Sequence, residues 1–378
     1  MKKILISVLL IVAIAMCSIG LVACGGGNGD DVTGLVTVKY SSDDYYTVVK
    51  YVAEDDASVL DLGAIAGEGV TIGRIKKGAF SGNNTIKELI VPSTVEKIDS
   101  GAFAGMQKLE KITLPFIGET AKADATLGET GASDKSVDSK RNFGYVFGTS
   151  AYDFGTSVTQ NYNATTTETY YLPITLKEVV INPAEDYVIP AYAFNGVTLL
   201  RGVTLSEKVV KIGDFAFANC TVLSSVKHIA TDIEIGLPAA VTYLGESAFS
   251  GCQNLTSAGF KFNDNNAITE LKKETFKGAG LTVITVPSNV TKIGEGCFRE
   301  SAVTDVTVAT STEIGVSAFN GCQDLAKFNS TVDGTIEFYG FTTIGAFAFA
   351  NIDSSFTVFA APANVAEILW NTTYTCLG

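Results

Sequence analysis

Residues 212–220 read IGDFAFANC, and close variants recur along the chain. LGESAFSGC spans 244–252, IGEGCFRES 293–301, IGVSAFNGC 314–322 and IGAFAFANI 344–352. Three of the five end in cysteine, which raises the choice between repeated chemistry, such as a thiol or metal site, and repeated architecture. Aligned on the phenylalanine, ten units emerge, anchored at Phe80, Phe103, Phe147, Phe194, Phe217, Phe249, Phe276, Phe298, Phe319 and Phe349. Periods of 20 to 50 residues are the signature of stacked repeats. The two longest gaps, on either side of Phe147, bracket an inserted region.

Each position of the unit has a physical task. An aliphatic residue stands five before the Phe, as at Ile75, Ile98, Ile212, Leu244 and Ile293. A small residue precedes the Phe, so the ring can enter a narrow space between neighbouring coils. Two after it comes Gly or Asn, which tolerate the left-handed conformation that ends a short helical turn; Glu300 breaks this pattern. There follows L-x-x-[VI]-x-[VL], often closed by Pro, as in Leu281/Ile284/Val286-Pro287, which reads as a short strand and its stop. A second apolar pair, V-x-x-[IL], adds an extended piece. No unit buries its apolar side alone, so the units must stack.

The phrase I-G-x-x-A-F-x-[GN]-C-x-x-L-x-x-[VI]-x-[VL]-P resembles the BspA-type leucine-rich repeat of bacterial surface proteins. The resemblance implies an α/β repeat solenoid: a curved right-handed superhelix with a parallel β-sheet on one face over residues 70–360. A parallel β-helix is the competing architecture, and the helical Phe-Gly turn argues against it.

The ends frame this stack. Lys2 and Lys3 precede an apolar run at 4–16, the pattern of a secretory signal segment. Leu21-Val22-Ala23-Cys24 then resembles the lipobox of bacterial lipoproteins, which implies a signal peptide over 1–23 and a diacylglyceryl-modified Cys24. The glycine-rich stretch to residue 34 is expected to be a flexible tether. The protein is therefore expected to be exported and lipid-anchored to the bacterial cell membrane, facing outward. Residues 35–69 alternate and predict a β-rich N-terminal cap. Residues 117–171 form an insertion poor in periodicity, where FGYVFG (143–148) is the most ordered piece. Residues 361–378 are expected to close the stack, with a helix at 362–370 laying Trp370, the only tryptophan, over the last coil.

Chemistry is sparse. The formal net charge of −13 argues against nucleic acid, whose phosphates call for clustered Lys and Arg. His228 is the only histidine, so a Ser-His-Asp or Cys-His site must use it, and no nucleophile motif lies nearby. No C-x-x-C pair occurs. Acidic pairs such as Asp43/Asp44 and Asp55/Asp56, and the NDNN loop at 263–266, read first as solvated surface. The cysteine slot three after the Phe also carries Asn83, Met106, Val197, Ala279, Ser301 and Ile352. That interchange suits a small, partly buried site better than a metal or redox centre. Cys220 and Cys252 fall in consecutive coils and remain candidates for a bridge.

No catalytic residue, metal or cofactor is expected. Within each strand the residue between the two inward ones points outward. Ile90, Thr113, Val180, Thr204, Lys227, Gly259, Thr285, Thr307 and Asn329 thus form a Thr- and Val-rich candidate recognition face. The family resemblance implies adhesion, so the expected function is a non-catalytic surface module. It would hold a host or bacterial protein or glycan on the sheet face and long loops. A carbohydrate-active hydrolase or lyase using surface carboxylates and a passive envelope scaffold are the alternatives.

Overall fold

The computed structural model describes residues 20–24 (backbone only), 34–40, 42–52, 57–66, 68–121, 139–229, 236–263 and 266–377. Residues 1–19 of the expected signal peptide (1–23), residues 25–33 of the expected tether (24–34), Asp55/Asp56, the middle of the insertion (122–138), and Asp264 and Asn265 of the NDNN loop lie outside these.

The two apolar segments of the repeat become two strands per coil, and successive coils pair them into parallel ladders. The L-x-x-[VI]-x-[VL] segment supplies the longer strands. Val59–Asp61, Glu88–Ile90, Lys111–Leu114, Glu178–Ile181, Gly202–Leu205 and Ser225–His228 form one six-stranded parallel sheet. Val283–Thr285, Asp305–Thr307, Lys327–Phe328, Thr335–Glu337, Ser355–Phe359 and Thr373–Leu377 form another. The V-x-x-[IL] segment supplies a second set of short parallel strands, such as Tyr187–Ile189, Val209–Ile212 and Tyr243–Leu244. The expected solenoid therefore carries a second ladder beside its main sheet.

Between the ladders the Phe-bearing segment makes a tight turn held by i→i+3 bonds. In the coil of Phe217 the N–H of Ala218 donates to Phe215 O, and that of Cys220 to Phe217 O, both at 3.1 Å. Among the described residues the α content is thus small: Leu62–Ile65 and Val365–Ile368 are single turns. A third ladder runs through these turns, since the N–H of Phe217 donates to Ala248 O of the next coil at 2.8 Å.

The core is a column of rings. Phe194, Phe217, Phe249, Phe276, Phe298 and Phe319 are fully buried, and neighbours stack with centroids 5.0–5.6 Å apart and planes 2–8° from parallel. Tyr51 extends the column below Phe80 at 5.7 Å, which ties the N-terminal strands Gly34–Lys39 and Tyr46–Val52 to the first repeat. The glycine of the I-G pair is set by coil-to-coil contact. A Cβ on Gly245 would lie 2.4 Å from Asp214 N, and one on Gly345 2.4 Å from Val316 N.

Two expectations are corrected. Part of the insertion is not irregular loop: Gly155–Asn161 and Thr167–Pro173 form an antiparallel hairpin. It packs through Val158, Gln160, Tyr170 and Leu172, all buried, and Gln160 donates to Ala193 O at 3.0 Å while accepting from Gly144 N–H at 2.7 Å. The 3-10 turn Phe143–Val146 serves two neighbours. The N–H of Phe103 donates to Val146 O on one side, and the N–H of Phe143 to Ala193 O on the other. The second correction concerns the closing segment: the helix expected over 362–370 is the single turn Val365–Ile368, and Thr373–Leu377 adds a last parallel strand, so this segment ends the stack as one further coil. Leu369 takes the ring slot, Asn371 is left-handed at φ 57°, and Thr372 Oγ1 donates to Phe349 O at 3.0 Å. Trp370 is not buried over the last coil: it is 56% exposed and its ring stands edge-on to Phe347, with centroids 6.1 Å apart.

Candidate functional site

Period-two alternation sends Leu89, Ile112, Val179, Val203 and Val226 into the core and their neighbours outward. The pairing puts Ile90 beside Thr113, Thr113 beside Val180, Val180 beside Thr204 and Thr204 beside Lys227. In the second sheet Thr285 pairs with Thr307. Thr285, Thr307 and Lys227 are exposed, Ile90, Thr113 and Thr204 half-buried, and Val180 is buried. Among the described residues the hydroxyls of Thr113, Thr204, Thr285 and Thr307 make no side-chain hydrogen bond.

The row has two interruptions that sequence alternation does not show. Gly259 lies in a turn instead of a strand; a Cβ there would meet Ser224 O at 1.9 Å. Asn329 lies just past Lys327–Phe328, left-handed at φ 51°. Its amide clamps the preceding coil, accepting from Val308 N–H at 2.7 Å and donating to Val308 O at 2.9 Å. Its side chain is spent on architecture.

The same alternation yields a second outward row, two residues earlier in each strand, which reasoning about a single position per strand missed. There Glu88 pairs with Lys111 and Lys111 with Glu178, and in the second sheet Asp305 pairs with Lys327. The Lys111–Glu88 and Lys327–Asp305 ion pairs are 2.8 and 3.2 Å long. The hydrogen bond and charge of Asp305 raise the Lys327 ammonium above its usual range. Solvent-facing, half-buried pairs of this kind contribute little to stability, but they neutralise one edge of the face.

The candidates for chemistry resolve into structural parts. His228 Nε2 lies 2.6 Å from Glu207 Oε1 at a strand end. Asn266, buried, accepts from Asn263 N–H at 3.0 Å and donates to Pro238 O at 2.6 Å. Cys220, Cys252, Cys297, Cys322 and Cys376 are free, and only Cys376 is exposed. The Cys220, Cys252 and Cys322 thiols donate to Phe194 O, Phe217 O and Phe298 O, each in the preceding coil, at 3.0–3.1 Å. Among the described residues no group of three or more His, Cys, Asp or Glu could hold a metal ion. No helix among them is long and apolar enough to cross a membrane.

The model of the BspA type leucine rich repeat region matches in six copies, over residues 69–124, 165–236 and 231–341. The chain belongs to the BspA-type leucine-rich repeat family. No curated protein matches it. Among solved structures, a leucine-rich repeat protein from Bacteroides ovatus is 17% identical, covering 92% of this chain and 99% of its own, with a TM-score of 0.37. A leucine rich cell surface protein from Faecalibacterium prausnitzii is 16% identical over 94% and 96%, at 0.31. A leucine-rich repeat protein from T. pallidum is 17% identical over 76% and 86%, at 0.30. The BspA-type repeat accounts for the Phe column, the I-G contact and the paired ladders of this chain.

Proposed function

We propose that this BspA-type protein is a non-catalytic binding module displayed outside the bacterial cell, which holds a protein or glycan partner on the outward face of its main sheet and on its long loops. The observation that carries the proposal is the set of outward threonines on the two main sheets. Thr113 and Thr204 flank Val180 in one sheet and Thr285 pairs with Thr307 in the other, and among the described residues no side-chain bond consumes their hydroxyls. Such hydroxyls donate and accept, and offer polar contacts to a partner laid across the strands. The description of the Faecalibacterium prausnitzii relative as a cell surface protein supports an outward location. Cys24 is the proposed lipid attachment site, and two or more acyl chains would hold the protein stably at a membrane.

The experiment is a binding comparison between cells that carry the protein and an isogenic deletion, against immobilised extracellular glycoproteins. A chain with Thr113, Thr204, Thr285 and Thr307 replaced by Ala is tested alongside. Binding that disappears in the deletion and weakens in the replaced chain is expected. Equal binding by all strains would sink the adhesion reading, and turnover of a polysaccharide lost on replacing one acid would transfer the chain to the hydrolases. Fatty-acid labelling that persists in Cys24→Ala would remove the proposed anchor.

A further inference from the structure

The position two residues before each core Phe is left-handed in coil after coil. Gly78, Gly101 and Gly296 fill it as expected, but so do Tyr192 at φ 60° and Phe215 at φ 56°. Bulky side chains seldom adopt that conformation, and local geometry offers no reason for a ring there, since Gly, Ser247 and Ser317 serve the same turn. The two rings stack in consecutive coils, with centroids 4.9 Å apart and planes 7° from parallel, and both are half-buried. A third ring, Tyr243 on the second ladder, reaches the same corner through its hydroxyl, which donates to Asp214 Oδ1, next to Phe215, at 2.9 Å. The Glu246 N–H donates to the same oxygen at 2.8 Å.

The charge balance here differs from that of the adjoining coils. Glu270 is paired with Lys272 and Lys292, Glu274 with Lys277 and Arg299, and Glu295 with Lys273. Asp214 and Glu246 have no cation within ion-pair distance among the described residues. Burial, together with the charge of Asp214, pushes the Glu246 carboxyl above its ordinary range, and both carboxylates raise the Tyr192 phenol after burial does. One cation already uses the aromatic surface, since the Lys272 ammonium lies 5.8 Å from the centre of the Tyr243 ring.

We propose that Tyr192, Phe215 and Tyr243, with the carboxylates of Asp214 and Glu246, which no described cation meets at ion-pair distance, form a site for a cationic side chain, arginine above all, carried by a basic segment of a protein partner. A guanidinium stacks flat on an aromatic face and offers N–H groups in plane to carboxylates at its rim. Lysine supplies the charge without the plane and binds more weakly. The site lies at the corner between the Phe turn and the second ladder. It does not rest on the threonine row and stands if that reading fails.

The test is calorimetric titration of the purified chain with tetra-arginine, tetralysine, tetraglutamate and chitotetraose, at low and physiological salt. Tetra-arginine is expected to bind saturably and more tightly than tetralysine, with tetraglutamate silent. Asp214→Asn with Glu246→Gln should weaken it about tenfold or more, and Phe215→Ala severalfold. The exposed pair Glu313→Gln with Asp324→Asn removes the same charge elsewhere and should leave binding unchanged. If the double replacement disturbs the fold by circular dichroism, Glu246→Gln alone, which keeps the Tyr243–Asp214 bond, carries the comparison. Absence of saturable tetra-arginine binding, or an equal loss in the exposed control pair, overturns the proposal. So does chitotetraose binding that survives the carboxylate replacements and disappears in Phe215→Ala, which would make the rings a glycan ledge.

Discussion

The ring of Phe217 lies on that of Phe249 with centroids 5.2 Å apart and planes 4° from parallel, while the N–H of Phe217 donates to Ala248 O at 2.8 Å. One residue therefore joins two coils twice, through dispersion between rings and through a backbone bond one position away. The same double link recurs from Phe194 to Phe349. A coil cannot shift along the stack without breaking both, which explains why ring and turn keep fixed spacing while the connecting segments vary in length.

Replacing Phe217 with Ala removes a fully buried ring and leaves a cavity between two others. The expected cost is about 3–5 kcal/mol, seen as a lower denaturant midpoint, with hydrogen-exchange protection lost first in the coils of Phe194 and Phe249. Phe347→Ala is the comparison: it removes an exposed ring and should cost less than about 1 kcal/mol. Equal effects would mean that the ring column is not the core.

The ring column was legible because it depends on residue type: in all ten sequence repeats a large flat apolar side chain fills the slot, and in most a small one stands before it; the last coil, with Leu369 in the slot, escaped for that reason. The hairpin at 155–173 was not, because its inward positions include Gln160 beside Val158, and its turn is set by Asn163, whose Oδ1 accepts from the N–H groups of Thr165 and Thr166. Alternation with a polar inward residue does not register as a strand. The second left-handed slot escaped for a related reason. It is filled by Gly, Tyr, Phe, Ser and Glu alike, so composition carries no trace of the backbone it imposes, and the aromatic ledge at Tyr192 and Phe215 followed from geometry alone. In the binding row, direction was readable from period two, whereas the burial of Val180 and the clamp made by Asn329 depend on neighbouring coils.

The buried thiols give the protein an alkaline limit. Burial pushes the Cys220 and Cys322 thiols up to about 12, and raises those of Cys252 and Cys297. In the unfolded chain a thiol ionises near about 8.5. The folded state thus holds its protons more tightly, and this contribution is complete below about pH 8.5 and is lost as pH climbs towards about 12. Denaturant midpoints should fall across that window, with a shallower slope for Cys220→Ala. In the native protein a thiol reagent should modify Cys376, exposed, and spare Cys220, Cys252, Cys297 and Cys322; fast labelling of Cys220 at neutral pH would contradict its burial.

Gly245 tests the coil contact. A methyl group there would press on Asp214 N and Gly213 C, both at 2.4 Å, and backbone atoms cannot turn aside as a side chain does. Gly245→Ala is expected to cost about 1–3 kcal/mol. Gly202→Ala, where the nearest atom is Ser225 Oγ at 3.5 Å, should be neutral or slightly stabilising, since glycine weakens a strand interior. If both replacements were silent, the I-G pair would owe its recurrence to something other than close approach.

Glu300 occupies the slot two after Phe298, where eight of the other nine repeats carry Gly or Asn, yet its backbone is left-handed at φ 57° like theirs. The turn imposes this conformation whatever the residue, because the N–H of Glu300 must reach Asn320 O at 2.9 Å. A side chain with a Cβ is strained there by about 1–2 kcal/mol. Its compensating contact is weak: the carboxylate is 3.8 Å from Arg299 Nε and mostly exposed. Glu300→Gly should therefore raise stability by up to about 1 kcal/mol, the remainder of the relief being offset by the extra freedom of glycine in the unfolded chain. Glu300→Ala, which keeps the Cβ and discards the carboxylate, should gain nothing. A thermal denaturation series of the three chains separates the cases, and a gain for Ala equal to that for Gly would locate the cost in the charge of Glu300 instead of its backbone.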